Sequence, residues 1–285
     1  MKERSQIYNI AHRGARSLAP ENTMPAFIKA WKVGAHGIET DVSVSSDGRL
    51  VLLHDDTLAR TSNVSQLFPG KKKHSVSTFR WSDLQSLDAG SWFVDTDPFG
   101  ALKDGSVGPK EAQTLRGTPI PLLEELLSFV TQKSWFINIE IKPLPKEARS
   151  FPVVENVLSL IEHIALDSAL FSISSFHHPF LQTVKKLRPD VEINALIGGG
   201  ALRSQQWGKY EFETYNANVS KTDSQQIAKA KQHGCRVNLY TVNDLEEMHY
   251  YLSLGVEKII TDYPQLLSKL EYKDTGSNGS GGNLA

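Results

Sequence analysis

Several features that would define the class of this protein are scarce or missing in its sequence. The chain has one cysteine, Cys235, so no intramolecular disulfide can form, and a lone cysteine is typical of a reducing compartment. The formal net charge is -1, which provides no overall basic field for nucleic acid or an anionic membrane. No segment approaches the ~20 apolar residues of a transmembrane helix, and no apolar run of signal-peptide length precedes the fold. These absences predict a cytoplasmic protein with no nucleic-acid partner and no stable membrane association, and they leave the oligomeric state open.

Two kinds of binding motif are also missing. No Gly-rich strand–loop–helix element of the Walker kind occurs, which argues against binding of nucleoside triphosphates. No Cys-x-x-Cys or His-x-x-x-His spacing favours a zinc site. The 285 residues, 40% of them hydrophobic, are enough for one barrel-sized domain or two small ones.

Short apolar runs alternate with amphipathic stretches over most of the chain. This alternation predicts a parallel sheet with crossover helices, and eight such strands form a closed (β/α)₈ TIM barrel of the α/β class. The strand-like runs are 8–12, 37–42, 135–142, 171–176, 192–197, 217–220, 236–242 and 257–262. The helical patterns include 22–33, 151–164, 178–187, 224–234 and 244–255.

One further apolar run, RLVLLHD (49–55), lies too close to the second strand for a parallel crossover. We therefore predict a β-hairpin that extends strand two, with Asp47-Gly48 in its turn. If Val44 pairs with Val51, Asp41 lies roughly opposite His54. The hairpin would then fold His54 back beside the carboxylates of strand two.

The remaining segments define the expected domain organisation. Residues 62–118 interrupt the alternation, contain one helical pattern (81–90) and are predicted to be an insertion on the active-site side of the barrel. The tail, 274–285, is rich in Gly, Ser and Asn and is predicted to be disordered. We therefore expect a single catalytic domain over 1–273.

Ionisable residues gather at the carboxyl ends of the first three predicted barrel strands. They are His12 and Arg13 in strand one, Glu39 and Asp41 in strand two, and Glu140 and Lys142 in strand three. Each pair alone has an ordinary interpretation, such as a solvent-facing Glu-x-Asp, a core histidine or a surface lysine. Barrel active sites form at the carboxyl ends of the strands, so the conjunction predicts a functional site at one rim.

The chemistry of this set indicates a metal ion and a phosphate. Three crowded carboxylates repel one another unless a cation neutralises them, and oxygen ligands favour Mg²⁺ or Ca²⁺, with Mn²⁺ as a third option. Arg13 and Lys142 beside that ion suggest an anionic substrate, since both side chains bind phosphate oxygens. Two histidines, His12 and His54, complete a phosphodiester-cleaving site as an acid–base pair.

The segment IAHRGARSLAPENTMPAFIKAWKVGAHGIETDVSVSSDGRLVLLHDDTLARTSN (10–63) closely resembles the glycerophosphodiester phosphodiesterase family. The match continues through WSDLQSLDAGSWF, TPIPLLEELL, NIEIK, SISSF, LYTVN and GVEKIITDYP, in the family's order, up to about Leu270. The resemblance implies metal-dependent hydrolysis of small-molecule glycerophosphodiesters, such as glycerophosphocholine and glycerophosphoethanolamine, to glycerol 3-phosphate and an alcohol. It implies catalytic roles for His12 and His54, metal ligation by Glu39, Asp41 and Glu140, and phosphate binding by Arg13 and Lys142.

A more distant similarity to phosphatidylinositol-specific phospholipases C suggests a route through a cyclic phosphate. Which histidine is the acid stays open. Tyr240 stands where many family members have tryptophan, which suggests either substrate contact or packing at the rim. Two alternative functions are a lysophospholipase D-like lipid phosphodiesterase and a non-catalytic phosphate-binding barrel. The first would use Trp92, Phe93 and Phe99 of the insertion.

Two further positions have expected roles in the fold. Glu21-Asn22-Thr23 is interpreted as a helix start, with Asn22 or Thr23 as the N-terminal cap. Asp262 is expected either to support the site or to cap the helix after Pro264.

Overall fold

The computed structural model describes residues 8–199 and 207–274. Its strands form one sheet in which eight parallel strands close on themselves, because β1 pairs with both β2 and β9. The strands of the described residues are β1 (Asn9–His12), β2 (Gly37–Val44), β3 (Leu50–Leu52), β4 (Phe136–Ile141), β5 (Phe171–Ser175), β6 (Glu192–Ile197), β7 (Thr214–Asn218), β8 (Arg236–Tyr240) and β9 (Lys258–Thr261). This architecture confirms the predicted (β/α)₈ TIM barrel.

Helices surround the barrel, and five of them begin and end within two residues of the predicted stretches. They are α1 (Met24–Lys32), α2 (Val64–Leu67), α3 (Trp81–Leu84), α4 (Ser91–Thr96), α5 (Pro109–Leu115), α6 (Leu123–Lys133), α7 (Val153–Ile164), α8 (His178–Leu187), α9 (Ser224–Gln232), α10 (Leu245–Ser253) and α11 (Pro264–Asp274). The predicted tail from 275 onwards lies outside the described residues, and Asp274 is the last residue of α11. No helix of the described part is long and apolar enough to cross a bilayer.

Helix α7 shows why the sequence periodicity was informative. Val153, Val157 and Ile161 recur at helical spacing and are buried against the barrel. Each fully buried aliphatic side chain of this kind stabilises the fold by roughly 1.5–3 kcal/mol. The helix ends at Ile164, and the next residue, Ala165, has a left-handed backbone and donates its amide to the carbonyl oxygens of Ile161 and Glu162.

The strand predicted at 217–220 begins three residues earlier, at Thr214. Thr214 and Asn216 are fully buried polar residues that alternate with the apolar Tyr215 and Ala217. The side-chain oxygen of Asn216 accepts a hydrogen bond from the side-chain amide of Asn238 on β8. Because polar residues occupy one buried face of this strand, its first residues do not form an apolar run, and the predicted strand began too late in the sequence.

The predicted hairpin is present, but its predicted register was wrong by one residue. Leu50, and not Val51, pairs with Val44. The amide of Ser45 donates to the carbonyl oxygen of Arg49, which leaves a three-residue loop that ends at Gly48 with φ +83°. A three-residue hairpin loop favours glycine at this left-handed position.

The segment after the hairpin has its own small core. The predicted helix 81–90 was too long, because α3 ends at Leu84 and a separate helix, α4, begins at Ser91. Between them, the Asp88 carboxylate accepts hydrogen bonds from the amides of Gly90 and Ser91. These bonds support a turn in place of a continuous helix. The cluster is formed by Val51, Leu53, Leu58, Val64, Val76, Phe79, Leu84, Leu87, Ala89 and Ile120.

Candidate active site

Strand register brings the predicted site residues together. His12 at the end of β1 is the register partner of Glu39 on β2, and Asp41 is the partner of Glu140 on β4. Glu39 and Asp41 are two positions apart, so both side chains project from the same face of β2. The three strands therefore present an imidazole and three carboxylates at one rim.

Glu39, Asp41 and Glu140 form an acidic cluster whose candidate ligand atoms all lie within 4.8 Å of one another. Burial raises the pKa of Glu39 well above its usual range, and the charges of Asp41 and Glu140 raise it further. Burial is also the main cause that raises the pKa of Glu140 to about 7. The Oε1 atom of Glu39 is buried and has no hydrogen-bond partner among the described residues. A hard divalent cation would satisfy this oxygen and relieve the repulsion, so these residues fit such an ion.

Lys142 partly neutralises this cluster. Its Nζ donates hydrogen bonds to Oδ1 of Asp41, at 2.8 Å, and to the carbonyl oxygen of His54, at 2.6 Å. Burial raises the pKa of Asp41, but the charges of Lys142 and Arg13 outweigh burial and hold the pKa well below its usual range. Lys142 therefore joins the end of the hairpin to the acidic cluster, although the hairpin register differs from the predicted one.

Arg13 lies on the other side of Asp41. Its Nε is 3.3 Å from Oδ2 of Asp41, close enough for an ion pair although the N–H is not aligned for a hydrogen bond. Its backbone amide donates to Oε2 of Glu39 at 3.1 Å. The chain turns directly after β1, next to α1. Gly14 is required in this turn, because a Cβ there would lie 2.7 Å from the backbone of Ala26 in α1.

His12 is held by a carboxylate from the last barrel strand. Its Nδ1 lies 2.7 Å from Oδ1 of Asp262, and its Nε2 lies 3.9 Å from Oε2 of Glu39. Burial and the charge of Arg13 lower the pKa of His12 despite the opposing effect of Asp262. Asp262 was expected either to support the site or to cap a helix. Its contacts favour the first role, since its carboxylate binds His12 and also accepts a hydrogen bond from Asn243.

His54 has the same kind of partner. Its Nδ1 lies 2.6 Å from Oδ1 of Asp55, the next residue in the chain. The hydrogen bond with His54 is the main cause that lowers the pKa of Asp55. Both histidines thus have Nδ1 bound to a carboxylate, which leaves Nε2 of each ring available for substrate.

The expected role of Glu21-Asn22-Thr23 was only partly correct. Thr23 is the N-terminal cap residue of α1, but its hydroxyl donates to the carbonyl oxygen of Pro20 and makes no capping bond. The side chain of Asn22 donates to Oδ2 of Asp41 at 2.9 Å, so it supports the acidic cluster. Glu21 is buried and pairs with the guanidinium groups of Arg13, Arg16 and Arg60. Local sequence cannot distinguish these long-range contacts from a capping pattern.

Tyr240 lies at the rim, as expected from its position at the end of β8. Its hydroxyl donates to the carbonyl oxygen of Ile197 on β6 at 2.9 Å, and its ring packs edge-on against Phe176. The hydroxyl is thus engaged by the barrel, and the half-buried ring is the part that a substrate can contact. Substrate contact by Tyr240 stays a prediction.

The chain is similar to known proteins over almost its whole length. The model of the Glycerophosphoryl diester phosphodiesterase family matches residues 12–266. The chain is 33% identical over 265 residues to a glycerophosphodiester phosphodiesterase of Bacillus altitudinis, covering 91% of this chain and 96% of the relative. It is 32% identical over 272 residues to a glycerophosphodiester phosphodiesterase of Caldanaerobacter subterraneus subsp. tengcongensis, covering 93% and 97%.

Solved structures with the same fold include an Oleispira antarctica phosphodiesterase in complex with the product sn-glycerol-3-phosphate. The TM-score is 0.75 at 25% identity, over 93% of this chain and 97% of that one. A glycerophosphodiester phosphodiesterase from Agrobacterium tumefaciens shares the fold with a TM-score of 0.67 at 24% identity, over 91% and 98%. The predicted enzyme class, a glycerophosphodiester phosphodiesterase, is confirmed. The chain belongs to the glycerophosphoryl diester phosphodiesterase family.

Proposed function

We propose that this enzyme hydrolyses glycerophosphodiesters such as glycerophosphocholine and glycerophosphoethanolamine to glycerol 3-phosphate and the free alcohol. The observation that carries the proposal is the placement of His12 and His54, each fixed by a carboxylate, around the cluster of Glu39, Asp41 and Glu140. The relative from Oleispira antarctica was solved with sn-glycerol-3-phosphate as its product, which supports the same product here.

Glu39, Asp41 and Glu140 would hold one divalent cation, Mg²⁺, Ca²⁺ or Mn²⁺. The unpartnered oxygen of Glu39 and the raised pKa values of Glu39 and Glu140 support this assignment. When bound, the cation supplies positive charge that stabilises the phosphoryl oxygens and makes a nearby hydroxyl more acidic. Arg13 and Lys142 stand beside the cluster and would bind the remaining phosphate oxygens.

Proton transfer then falls to the two histidines. The 2-hydroxyl oxygen of the glycerol moiety attacks phosphorus, and Nε2 of His12 accepts the hydroxyl proton. The bond from phosphorus to the alcohol oxygen breaks, and Nε2–H of His54 protonates that oxygen. Water opens the resulting cyclic phosphate with the two histidines in reversed roles. His12 is assigned as the first base because it is the deeper residue, next to Glu39, whereas His54 lies nearer the mouth.

The aromatic residues of the insertion weigh against a lysophospholipase D-like function. Phe93 is fully buried, the indole of Trp92 donates to the carbonyl oxygen of Ala89, and Phe99 packs against Tyr263. The three rings therefore pack the insertion against the rest of the protein, and they leave little apolar surface for a lipid chain. A non-catalytic barrel is disfavoured because every expected acid, base and carboxylate is present.

A panel of metal-reconstituted assays tests the proposal. Glycerophosphocholine, glycerophosphoethanolamine and a lysophospholipid are incubated with the enzyme and Mg²⁺, Ca²⁺ or Mn²⁺, and release of the free head-group alcohol, the product common to all three substrates, is followed. We expect turnover of the glycerophosphodiesters with at least one ion. Turnover confined to the lysophospholipid, or none with any ion, would contradict the proposal. The predicted cytoplasmic location and the single domain over 1–273 stay predictions.

A further inference from the structure

Arg60 lies just beyond the hairpin, outside the residues that the mechanism uses, and it contacts two carboxylates at once. Its Nε and Nη2 donate to Asp55 at 2.7 and 3.1 Å. Its Nη1 and Nη2 donate to Glu21 at 2.9 and 2.7 Å. A planar guanidinium group that meets two carboxylates in this way fixes the position of both.

The two carboxylates differ in their surroundings. Glu21 is buried and fixed. It also accepts a hydrogen bond from Nη1 of Arg13 at 2.8 Å and forms an ion pair with Nη2 of Arg16 at 3.2 Å. Burial raises the pKa of Glu21, but the Arg60 hydrogen bonds and the neighbouring charges outweigh it and lower the pKa to about 2. Asp55 is more exposed, and its contacts are His54 on one side and Arg60 on the other. In the series of contacts from His54 through Asp55 and Arg60 to Glu21, Glu21 is therefore the most rigidly held residue.

His54 depends on such support more than His12 does. The side chain of His54 is 38% exposed, compared with 14% for His12. Its hydrogen bond to Asp55 is the contact that fixes the orientation of the ring, since Lys142 contacts only its backbone carbonyl oxygen. A histidine at an open rim samples more rotamers unless its partner is itself held.

We propose that Arg60 is a positioning residue that fixes Asp55, and through Asp55 the ring of His54, against the buried anchor Glu21. This inference rests on the proposed catalytic role of His54. The guanidinium carbon of Arg60 also lies over the ring of Trp92 in α4, 6.0 Å from the ring centroid, which is compatible with a weak cation–π contact.

The same anchor extends to the opposite side of the site. Arg16, which pairs with Glu21, lies 3.7 Å from Oδ1 of Asp262, the partner of His12. Glu21 is thus joined to the carboxylate behind each histidine through one arginine on either side. Of these two carboxylates Arg60 contacts Asp55 directly, so its replacement is expected to affect His54 more than His12.

The first experiment compares Arg60→Ala and Arg60→Lys with Arg116→Ala in steady-state kinetics on glycerophosphocholine. Arg116 is a matched control, since it is similarly exposed (36% against 42%) and pairs with a single aspartate, Asp95, at 2.6 Å, and not with Asp55 or Glu21. A catalytic group displaced by about 1 Å can lose on the order of a hundredfold in rate. We expect Arg60→Ala to lower kcat about tenfold to a hundredfold with KM changed less than about threefold, and Arg60→Lys to recover only part of the rate. The control variant should keep normal kcat and KM.

Free guanidinium at low, non-denaturing concentration separates positioning from a folding defect. It should restore part of the kcat of Arg60→Ala and leave the His54→Ala variant unchanged. The melting temperatures of both Arg60 variants are measured in parallel, so that a loss of folded protein is visible. If Arg60→Ala has normal kcat, or loses kcat only in proportion to folded protein and gains nothing from guanidinium, the inference is wrong.

A double-variant comparison distinguishes failure of this inference from failure of the proposed function. In a His54→Ala background, Arg60→Ala should cause little further loss, because both changes affect the same group. An equal loss in both backgrounds would overturn the positioning role. A His54→Ala enzyme with near-normal turnover would instead refute the proposed mechanism itself, whatever Arg60 does.

Discussion

Nδ1 of His12 and Oδ1 of Asp262 lie 2.7 Å apart although 250 positions separate them in the chain. His12 ends the first barrel strand, and Asp262 follows the last one, which pairs in parallel with the first. The contact therefore exists only when the barrel is closed. Because Asp262 binds Nδ1, it orients the ring with Nε2 toward Glu39.

Replacement of Asp262 by asparagine should impair His12 without removing the ring. The new amide can donate to Nδ1, which would place the ring proton on Nε2 and block its action as a base. We expect Asp262→Asn to lower kcat by roughly 10²-fold or more, with smaller changes in KM and in the affinity for glycerol 3-phosphate. Steady-state kinetics and product titration would measure these effects.

Asp244→Asn is the matched control for that variant. Asp244 lies at the same rim, but its carboxylate caps α10 through the amides of Glu246 and Glu247. Its replacement should change stability little, because asparagine caps helices about as well as aspartate, and it should leave kcat unchanged. Equal kcat values for Asp262→Asn and Asp244→Asn would disprove the orienting role of Asp262.

Metal binding should be visible without any assay of activity. The carboxylates of Glu39, Asp41 and Glu140 repel one another in the folded protein, and a cation that binds only the folded state stabilises it. We expect chelation to abolish turnover, and Mg²⁺, Ca²⁺ or Mn²⁺ to restore it and to raise the melting temperature. In Glu39→Gln the rise should be much smaller. Full activity after complete chelation, or an unchanged melting temperature at saturating metal, would count against the metal site.

The sequence predicted those parts of the site that strand ends determine. His12, Glu39, Asp41 and Glu140 could be placed together because parallel strands end at one rim and alternate residues share a face. The exact hairpin register could not be predicted, because it depends on whether the amide of Ser45 pairs with the carbonyl oxygen of Arg49. The sequence alone does not determine this hydrogen bond.

The supporting contacts around that site were harder to predict, for a different reason. Glu21 resembles the start of a helix in sequence, and its partner Arg60 lies 39 positions away in another element. Contacts of this kind depend on how loops pack at the rim, which the periodicity of strands and helices does not encode. The length of α3 was similarly overestimated, since the carboxylate of Asp88 forms a turn where the helical spacing continued.

Glu21 should also contribute to the pH dependence of stability. Its pKa in the folded protein, about 2, is lower than the ordinary value of 4.5, so folding favours the charged form. The resulting stabilisation is fully present above pH 4.5 and is lost as the pH falls toward 2. At about 1.4 kcal/mol per pKa unit, the full contribution is of the order of 3 kcal/mol.

Urea unfolding of the wild type and Glu21→Gln at several pH values would measure this contribution. The difference in the free energy of unfolding should be constant between pH 5 and 7 and should shrink below pH 4.5. Glu124→Gln provides a control, since Glu124 is half exposed and pairs only weakly with Arg49 at 3.4 Å. A Glu21→Gln difference that stays the same down to pH 3 would show that the carboxylate charge is not what stabilises this part of the fold.

The two histidines should have separable roles that depend on the leaving group. We expect His12→Ala and His54→Ala each to lower kcat by roughly 10²–10⁴-fold, the usual range for a positioned acid or base. The double variant should be little worse than either single variant, because both residues act in one transition state. Product affinity should survive better, since the proposed phosphate ligands Arg13 and Lys142 are unchanged.

A nitrophenyl phosphodiester distinguishes the acid from the base, because its leaving group departs without needing a proton. If His54 protonates the alcohol, His54→Ala should lose far less activity on this substrate than on glycerophosphocholine, whereas His12→Ala should be impaired on both. The reverse pattern would exchange the two roles, which we propose from the depth of His12 beside Glu39. Near-normal turnover of glycerophosphocholine by either single variant would refute acid–base catalysis by this pair, since no proton transfer would then depend on the missing ring.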